Sequence, residues 1–300
     1  MHLNQPTQQI VELQQELWLL LQEFDRICRN HQISYQLAAG TLLGAVRHQG
    51  FIPWDDDLDV CMTRQEYQRF LQVASIEAGQ EFFLQHKLTD PNFPHFYSKF
   101  RLRHSKFNME NGMHPSQLHG AFMDIFPFDS VDTHSLAGQL RFELFRWIQG
   151  VYLGPVVKLN IQKEGYRQRS LPKKIQLIAA TALHVIIGSQ RLELWLQALL
   201  HHATALNSPQ LTCLVISVMP RKKRYTLIRQ QTQFNTLIRL NFCGKDFPAP
   251  ANYHQVLTHL YGDYLSYPPP ERQVPSHGMQ RYTTQTPDPK TEPVCTSRSD

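Results

Sequence analysis

Residues Gly40–Asp59 read GTLLGAVRHQGFIPWDDDLD, and their composition is the most unusual in the chain. Four carboxylates occupy the last five positions, namely Asp55, Asp56, Asp57 and Asp59. Carboxylates in such a run repel one another and are poor strand formers. Apolar residues precede and interrupt the run, and such residues are usually buried. We therefore expect the carboxylates at the edge of a hydrophobic core, although an ordinary acidic loop in solvent is the simpler interpretation.

Alternating side chains in the segment Leu58–Met62 predict a strand directly after the run. Because side chains alternate across a strand, Asp55, Asp57 and Asp59 are expected to share one face. Carboxylates gathered on one face need a positive partner, and Mg²⁺ takes a few carboxylates together with substrate phosphates. The segment therefore predicts a site for Mg²⁺ (or Mn²⁺). The loop lacks the spacing and the terminal Glu of an EF-hand.

A Gly-Thr pair upstream of the run predicts a phosphate-binding turn. The segment Ile33–Ala39 has the character of a short strand, and a helix is expected soon after Gly40 and Thr41. Backbone N–H groups at a helix start favour phosphate. Arg47 and His48 would add positive charge beside the same turn.

Further candidate residues lie downstream on two predicted strands. Asp124 alternates with apolar neighbours and is a third carboxylate for the site, unless it makes only a local turn bond. Lys99, Arg101 and Arg103 also alternate, so they would share one face and hold a diphosphate. An exposed basic edge strand is the other interpretation of this second pattern.

Four blocks of the chain resemble the LicD family, which includes the fukutin-related enzymes. The longest is Gly40–Asp59, which is similar to the signature of that family without a break. Shorter similarities lie at Tyr97–Arg101, Phe122–Asp129 and Tyr261–Tyr264. The resemblance implies an α+β fold with a nucleotidyltransferase-like mixed β-sheet and flanking helices.

The resemblance also implies a Mg²⁺-dependent phosphotransferase. Family members move phosphocholine or a polyol phosphate from a CDP-linked donor such as CDP-choline to a hydroxyl of a surface glycan, for example in lipopolysaccharide or teichoic acid. Asp57 and Asp59 match the metal-binding D-x-D of the family, Asp124 matches its later carboxylate, and Asp55 matches the acidic run. The residues then expected to bind substrate or phosphate are Gly40, Thr41, Arg47, His48, Lys99 and Arg101.

The acidic pattern leaves two other functions open. A nucleotidyltransferase would use the same carboxylates to transfer a nucleoside monophosphate and would release pyrophosphate. A non-catalytic scaffold of a glycan-assembly complex is an alternative of a different class. The first is distinguished by its products and the second by an absent response to Mg²⁺ and a CDP-ligand.

Periodicity divides the chain into a catalytic domain and a tail. We expect one domain over residues 1–275, with residues 136–207 as a mostly helical insertion and residues 276–300 as a disordered tail. Basic residues from Lys158 to Lys174 lie between apolar helical stretches. They indicate either a peripheral contact with a membrane or an ordinary solvated face.

Composition excludes several function classes. The chain has 300 residues, a formal charge of +5 and five scattered cysteines, which argues against nucleic-acid binding, a disulfide framework and a zinc site. No secretory pattern and no apolar run long enough for a transmembrane helix is visible. These features favour a cytoplasmic protein, with contact to the inner membrane as an additional expectation.

Overall fold

The computed structural model describes residues 5–110, 120–132, 134–160, 170–205, 208–215 and 229–281. Helices and a mixed β-sheet make up this part of the chain, which confirms the expected α+β class. The helices are α1 (Gln8–Asn30), α2 (Ala39–His48), α3 (Arg64–Glu77), α4 (Leu136–Asn160), α5 (Leu171–Ile187), α6 (Ser189–Ala205), α7 (Thr232–Asn235) and α8 (Tyr253–Tyr261). The strands are β1 (Gln36–Leu37), β2 (Leu58–Thr63), β3 (Phe82–Gln85), β4 (Ser98–Leu102), β5 (Phe107–Glu110), β6 (Phe122–Ser130), β7 (Gln210–Thr212), β8 (Arg229–Gln230), β9 (Leu237–Phe242), β10 (Lys245–Pro250) and β11 (Gly278–Arg281).

The main sheet has seven strands, five of which follow the order β1-β2-β6-β4-β3. Strands β2 and β6 run parallel, and the other neighbours are antiparallel. Strand β7 pairs with the end of β6, and β8 pairs with β7. The acidic run therefore leads directly into a strand at the centre of the sheet.

Helix α1 buries an apolar stripe against the sheet. Leu13, Leu17 and Phe24 are fully buried, and they belong to the largest hydrophobic cluster of the protein together with residues of β2 and β6. Thr7 accepts a hydrogen bond from the backbone N–H of Ile10 and caps the helix. Burial of this stripe holds α1 against the sheet.

The middle of the chain is helical, as expected. Helices α4, α5 and α6 cover residues 136–205 apart from Ser170, Gly188 and residues 161–169, the last of which lie outside the described residues. Side chains of α4 and α6, among them Phe145, Leu192 and Leu196, form a second hydrophobic cluster. Most of the basic stretch between α4 and α5 lies outside the described residues.

Within the described residues, no single helix has both the length and the apolar composition that a membrane span needs. Helices α5 and α6 have both only as a pair, and this pair is bent by 97°.

Strands β9 and β10 form a hairpin that the sequence patterns did not predict. The prolines Pro248 and Pro250 lie within β10, which is followed by α8. The turn residues Cys243 and Gly244 both have positive φ, 52° and 80°, as a tight hairpin turn requires. Cys243 is disulfide-bonded, whereas Cys28, Cys61 and Cys213 are free and buried.

The prediction of a disordered tail from residue 276 onwards is partly wrong, because strand β11 lies within that segment. Strand β11 pairs antiparallel with β5, and the preceding Ser276 and His277 donate hydrogen bonds to the carboxylate of Asp56. The edge of β5 and the buried carboxylate of Asp56 thus bind this segment, and no local sequence pattern reveals these two partners. Residues 282–300 of the predicted tail lie outside the described residues.

Candidate active site

Three strands place charged residues in one row across the sheet. Asp59 of β2 lies opposite Asp124 of β6, and Asp124 lies opposite Lys99 of β4. Residues opposite one another on neighbouring strands project to the same face. The register therefore brings the predicted D-x-D motif and the predicted third carboxylate together.

Asp57, Asp59 and Asp124 form a compact carboxylate cluster. One oxygen from each lies within 4.8 Å of the others. Burial, followed by repulsion from Asp124 and Asp56, raises the pKa of Asp57 to about 6. Burial and the neighbouring charges of Asp57 and Asp124 likewise raise the pKa of Asp59 well above its usual value. Charges held together at such a cost are typical of a functional site.

Hydrogen bonds to the backbone fix the shape of the acidic run. The buried hydroxyl of Thr41 accepts a hydrogen bond of 2.8 Å from the backbone N–H of Asp59. The side-chain amide of Gln14, on α1, donates to the carbonyl oxygens of Ile52 and Asp55 at 3.1 and 3.0 Å. Thr41, which was predicted to bind phosphate, therefore contacts the backbone of the D-x-D motif directly.

Gly40 lies directly against the carboxylate of Asp55. A Cβ atom at Gly40 would lie 2.8 Å from Oδ2 of Asp55, which is closer than real side chains approach. Burial and repulsion from Asp57 and Asp56 raise the pKa of Asp55 well above its usual value. The glycine is therefore needed for close approach, and Asp55 lies beside the cluster of Asp57, Asp59 and Asp124.

Arg47 and His48 lie at the end of α2. The Nε–H of Arg47 donates to Nε2 of His48 at 3.0 Å, and its guanidinium lies 4.7 Å from the ring centre of Tyr267. Burial and the charge of Arg47 lower the pKa of His48 to about 4. His48 is therefore neutral near pH 7 and orients Arg47, so it does not add the positive charge that was predicted.

Lys99 and Arg101 share a face of β4 but have different surroundings. Nζ of Lys99 lies 2.5 Å from Oδ1 of Asp124. Arg101 instead donates to the side chain of Gln85 at 2.6 Å and to the carbonyl oxygen of Gly120 at 2.8 Å. Both are buried, because β4 lies between β6 and β3, so the alternative of an exposed edge strand is wrong. Lys99 is at the cluster, whereas Arg101 is engaged with protein acceptors.

Arg103, the third residue of this basic pattern, lies apart from the cluster. It is exposed, its Nε–H donates to the carbonyl oxygen of Phe82, and its guanidinium lies 4.8 Å from the ring centre of Phe83. The alternation of side chains between the two faces of β4 ends with the strand at Leu102, so Arg103 does not share the face of Lys99 and Arg101.

Two site residues were missed by the sequence patterns. Nδ1 of His277 lies 3.1 Å from Oδ1 of Asp56 and 3.7 Å from Oδ2 of Asp57. Hydrogen bonding to Asp56 and the charge of Asp57 raise the pKa of His277, although burial opposes this. Tyr261 lies within one of the similar blocks but was assigned no function. Burial, followed by the charges of Asp59 and Asp55, raises its pKa.

The donor set fits a hard divalent cation. Carboxylate oxygens are the ligands that Mg²⁺ and Mn²⁺ prefer. Asp57, Asp59 and Asp124 offer one oxygen each at mutually short distances, and a cation among them would offset the repulsion that raises the pKa values of Asp57 and Asp59. A second group, Asp56, Asp57 and His277, shares Asp57, but Asp56 accepts four hydrogen bonds from residues 276 and 277.

Comparison with known proteins agrees with this arrangement. Residues 32–150, which include the acidic run and β6, match the family described as LicD/FKTN/FKRP, nucleotidyltransferase domain. The lipopolysaccharide cholinephosphotransferase LicD of Haemophilus influenzae is 29% identical over 265 residues, 88% of this chain and 94% of the relative. An uncharacterized protein of Rickettsia typhi is 42% identical over 57 residues, 19% of this chain and 18% of the relative. The chain therefore carries a LicD family domain over residues 32–150 and is similar over most of its length to a LicD cholinephosphotransferase.

Proposed function

We propose that this chain transfers phosphocholine, or a similar phosphate-linked group, from a CDP-linked donor to a hydroxyl of a surface glycan, with Mg²⁺ or Mn²⁺ as the metal. The observation that carries the proposal is the convergence of Asp57, Asp59 and Asp124 within 4.8 Å. Both the phosphate chemistry and the metal requirement depend on this cluster.

The carboxylate cluster and Lys99 have separate parts in the proposed transfer. Asp57, Asp59 and Asp124 would hold the metal, which when bound neutralises charge on the phosphate oxygens. Lys99 stabilises the same negative charge from the other side of Asp124, where its ammonium group is held at 2.5 Å. With the phosphate held in this way, the acceptor hydroxyl attacks the phosphorus of the transferred group in line, the bond from that phosphorus to CMP breaks, and a carboxylate of the cluster accepts the hydroxyl proton.

Arg47 is the second cation proposed to bind the donor. Its NH1 donates to the carbonyl oxygens of Tyr264 and Ser266 at 3.2 and 3.4 Å, and its charge reaches Asp55. The guanidinium is thereby held at one end of the acidic run, while Lys99 lies at the other end. Two cations on either side of the carboxylates suit a diphosphate, which carries charge on both phosphates.

The similarity over most of the chain favours phosphocholine and lipopolysaccharide as donor group and acceptor. The relative named for that activity is aligned along 94% of its own length, so the similarity extends beyond the family match at residues 32–150. The catalytic domain expected over residues 1–275 would then extend at least to β11, because Ser276 and His277 bind Asp56 beside the cluster.

The proposal is tested with purified protein, CDP-choline, Mg²⁺ and a lipopolysaccharide acceptor, with release of CMP as the measured product. Asp57→Asn and Asp59→Asn should each lower turnover by at least about 10²-fold, because each removes one charged metal ligand. Asp246→Asn is the matched control, since Asp246 is exposed on β10. Equal CMP release by wild type and both site variants would contradict the proposal.

The products separate the proposal from its alternatives. Release of pyrophosphate instead of CMP, with a nucleoside triphosphate as donor, would identify a nucleotidyltransferase. A scaffold would release neither product, and Mg²⁺ with CDP-choline would leave its melting temperature unchanged.

A further inference from the structure

The outward face of α5 is apolar along the whole helix. Leu171, Ile175, Ile178, Ala182 and Val185 follow one another at steps of three and four residues, the spacing that places side chains on one face. All five are exposed, and Val185 keeps 76% of its accessible surface. We call these five residues the α5 face. A surface helix normally turns such a stripe towards the core, so α5 shows the reverse arrangement.

The contact between α4 and α5 explains this reversal. A Cβ atom at Gly154 of α4 would lie 3.2 Å from atoms of Ala180 and Thr181 of α5, so the two helices approach closely there. The rings of Tyr152 and His184 extend the same contact, with centroids 6.1 Å apart. This inner side of α5 is apolar as well, because Leu177 is buried and Leu183 and Ile187 pack against the second hydrophobic cluster. The stripe from Leu171 to Val185 lies on the opposite side of the helix and is left on the outside.

Other exposed apolar side chains lie on the helices next to α5. Leu136, Leu140, Leu144 and Trp147 form an outward stripe on α4. Exposed apolar surface of this extent is uncommon in soluble monomers and usually marks an interaction site. The helical middle of the chain is therefore expected to contact something apolar.

Charge favours an anionic partner for the α5 face. Between Ser170 and Leu192 the chain has Lys173, Lys174 and Arg191 and has no Asp or Glu, which gives three positive charges and no negative one. A second copy of the chain would bring like charges together. Anionic lipids would instead attract them, and an apolar face flanked by lysines is typical of helices that lie in a membrane interface.

We propose that the α5 face docks on the surface of an anionic lipid bilayer, with α5 lying in the interface. Among the described residues, neither α5 nor α6 alone has the length and apolar composition of a membrane span, and the two have them only as a pair bent by 97°. If the proposed function is correct, such docking would bring the carboxylate cluster to acceptors carried by a membrane. The docking itself does not depend on that function.

Co-sedimentation with lipid vesicles tests the proposal without substrate or metal, so its result is separate from any transfer assay. The full chain should bind vesicles that contain phosphatidylglycerol more tightly than vesicles of phosphatidylcholine alone, and added salt should weaken the binding. Ile175→Gln combined with Ile178→Gln should reduce binding to the anionic vesicles by at least about tenfold, because two apolar contacts are lost.

The matched control replaces two exposed apolar residues elsewhere, Ile76→Gln with Leu88→Gln, which are 85% and 87% exposed. This variant should bind vesicles as wild type does. Circular dichroism checks that both double variants are folded. Absent binding to anionic vesicles at low salt, equal binding to neutral vesicles, or an equal loss in the control would overturn the proposal. A dimer of twice 35.0 kDa that only Ile175→Gln with Ile178→Gln dissociates, without vesicle binding, would assign the face to a second copy.

Discussion

Asp56 and His277 are 221 residues apart in the sequence, yet Oδ1 of Asp56 lies 3.1 Å from Nδ1 of His277. The fully buried carboxylate of Asp56 also accepts hydrogen bonds from the backbone N–H groups of Ser276 and His277 and from the Ser276 hydroxyl. One carboxylate of the acidic run thus holds the C-terminal segment in place. Its neighbours Asp57 and Asp59 remain directed at the cluster with Asp124.

Replacing Asp56 should destabilise the protein through this C-terminal contact. Asp56→Ala removes the acceptor of four hydrogen bonds and leaves their donors unpaired, at a cost of about 1–3 kcal/mol for each donor that stays buried. Urea unfolding measures the loss, and Asp246→Ala on the exposed part of β10 is the control. An unchanged free energy of unfolding for Asp56→Ala would show that the segment is held by other contacts.

The rise in melting temperature caused by Mg²⁺ should grow as the pH increases through about 6. Burial raises the pKa of Asp57 from 3.8 to about 6, so between these values the native state binds more protons than the unfolded state. The metal-free protein therefore loses stability as the pH rises through this window, and the loss is complete above it. A cation that binds the charged carboxylate offsets the loss.

Scanning fluorimetry with and without Mg²⁺ at pH values of about 5 and about 7.5 checks this prediction. Asp57→Asn should show a smaller Mg²⁺ effect that is similar at both pH values. The same Mg²⁺ effect at both pH values in wild type would mean that Asp57 does not titrate in this window.

Local alternation was sufficient to predict the three carboxylates. Asp57 and Asp59 are two positions apart, and Asp124 lies between apolar residues, so the strand period alone places them on a face. His277 could not be found in this way, because its partner Asp56 is distant in sequence and β11 has no apolar period. Alternation also placed Arg101 correctly on β4 but could not show its partners, which depend on the order of the strands.

Lys99 and Arg101 should respond differently to loss of their charge. Lys99→Met removes the ammonium beside Asp124 and should lower turnover by at least about tenfold, because charge at the phosphate is lost. Arg101→Met removes the donor of two buried hydrogen bonds, to the side chain of Gln85 and to the carbonyl oxygen of Gly120, so it should reduce stability by about 1–3 kcal/mol for each bond. Turnover and urea unfolding are measured for both variants. A larger effect of Arg101→Met on turnover per folded molecule would place Arg101 at the substrate.

Gly40 and Gly44 lie one helical turn apart on α2 and should tolerate alanine to different degrees. At Gly40 the new Cβ would press on the side chain of Asp55, which can move, and alanine favours a helix by about 1 kcal/mol over glycine. Gly40→Ala should therefore keep the fold and weaken Mg²⁺-dependent transfer, because Asp55 is displaced beside the cluster. At Gly44 the new Cβ would overlap the backbone carbonyl oxygen of Gly50, which the chain cannot move cheaply, so Gly44→Ala should unfold more easily. Gly150→Ala, with nothing within 4 Å, is the control for both urea unfolding and turnover. Wild-type transfer by Gly40→Ala would show that the close contact with Asp55 has no part in the site.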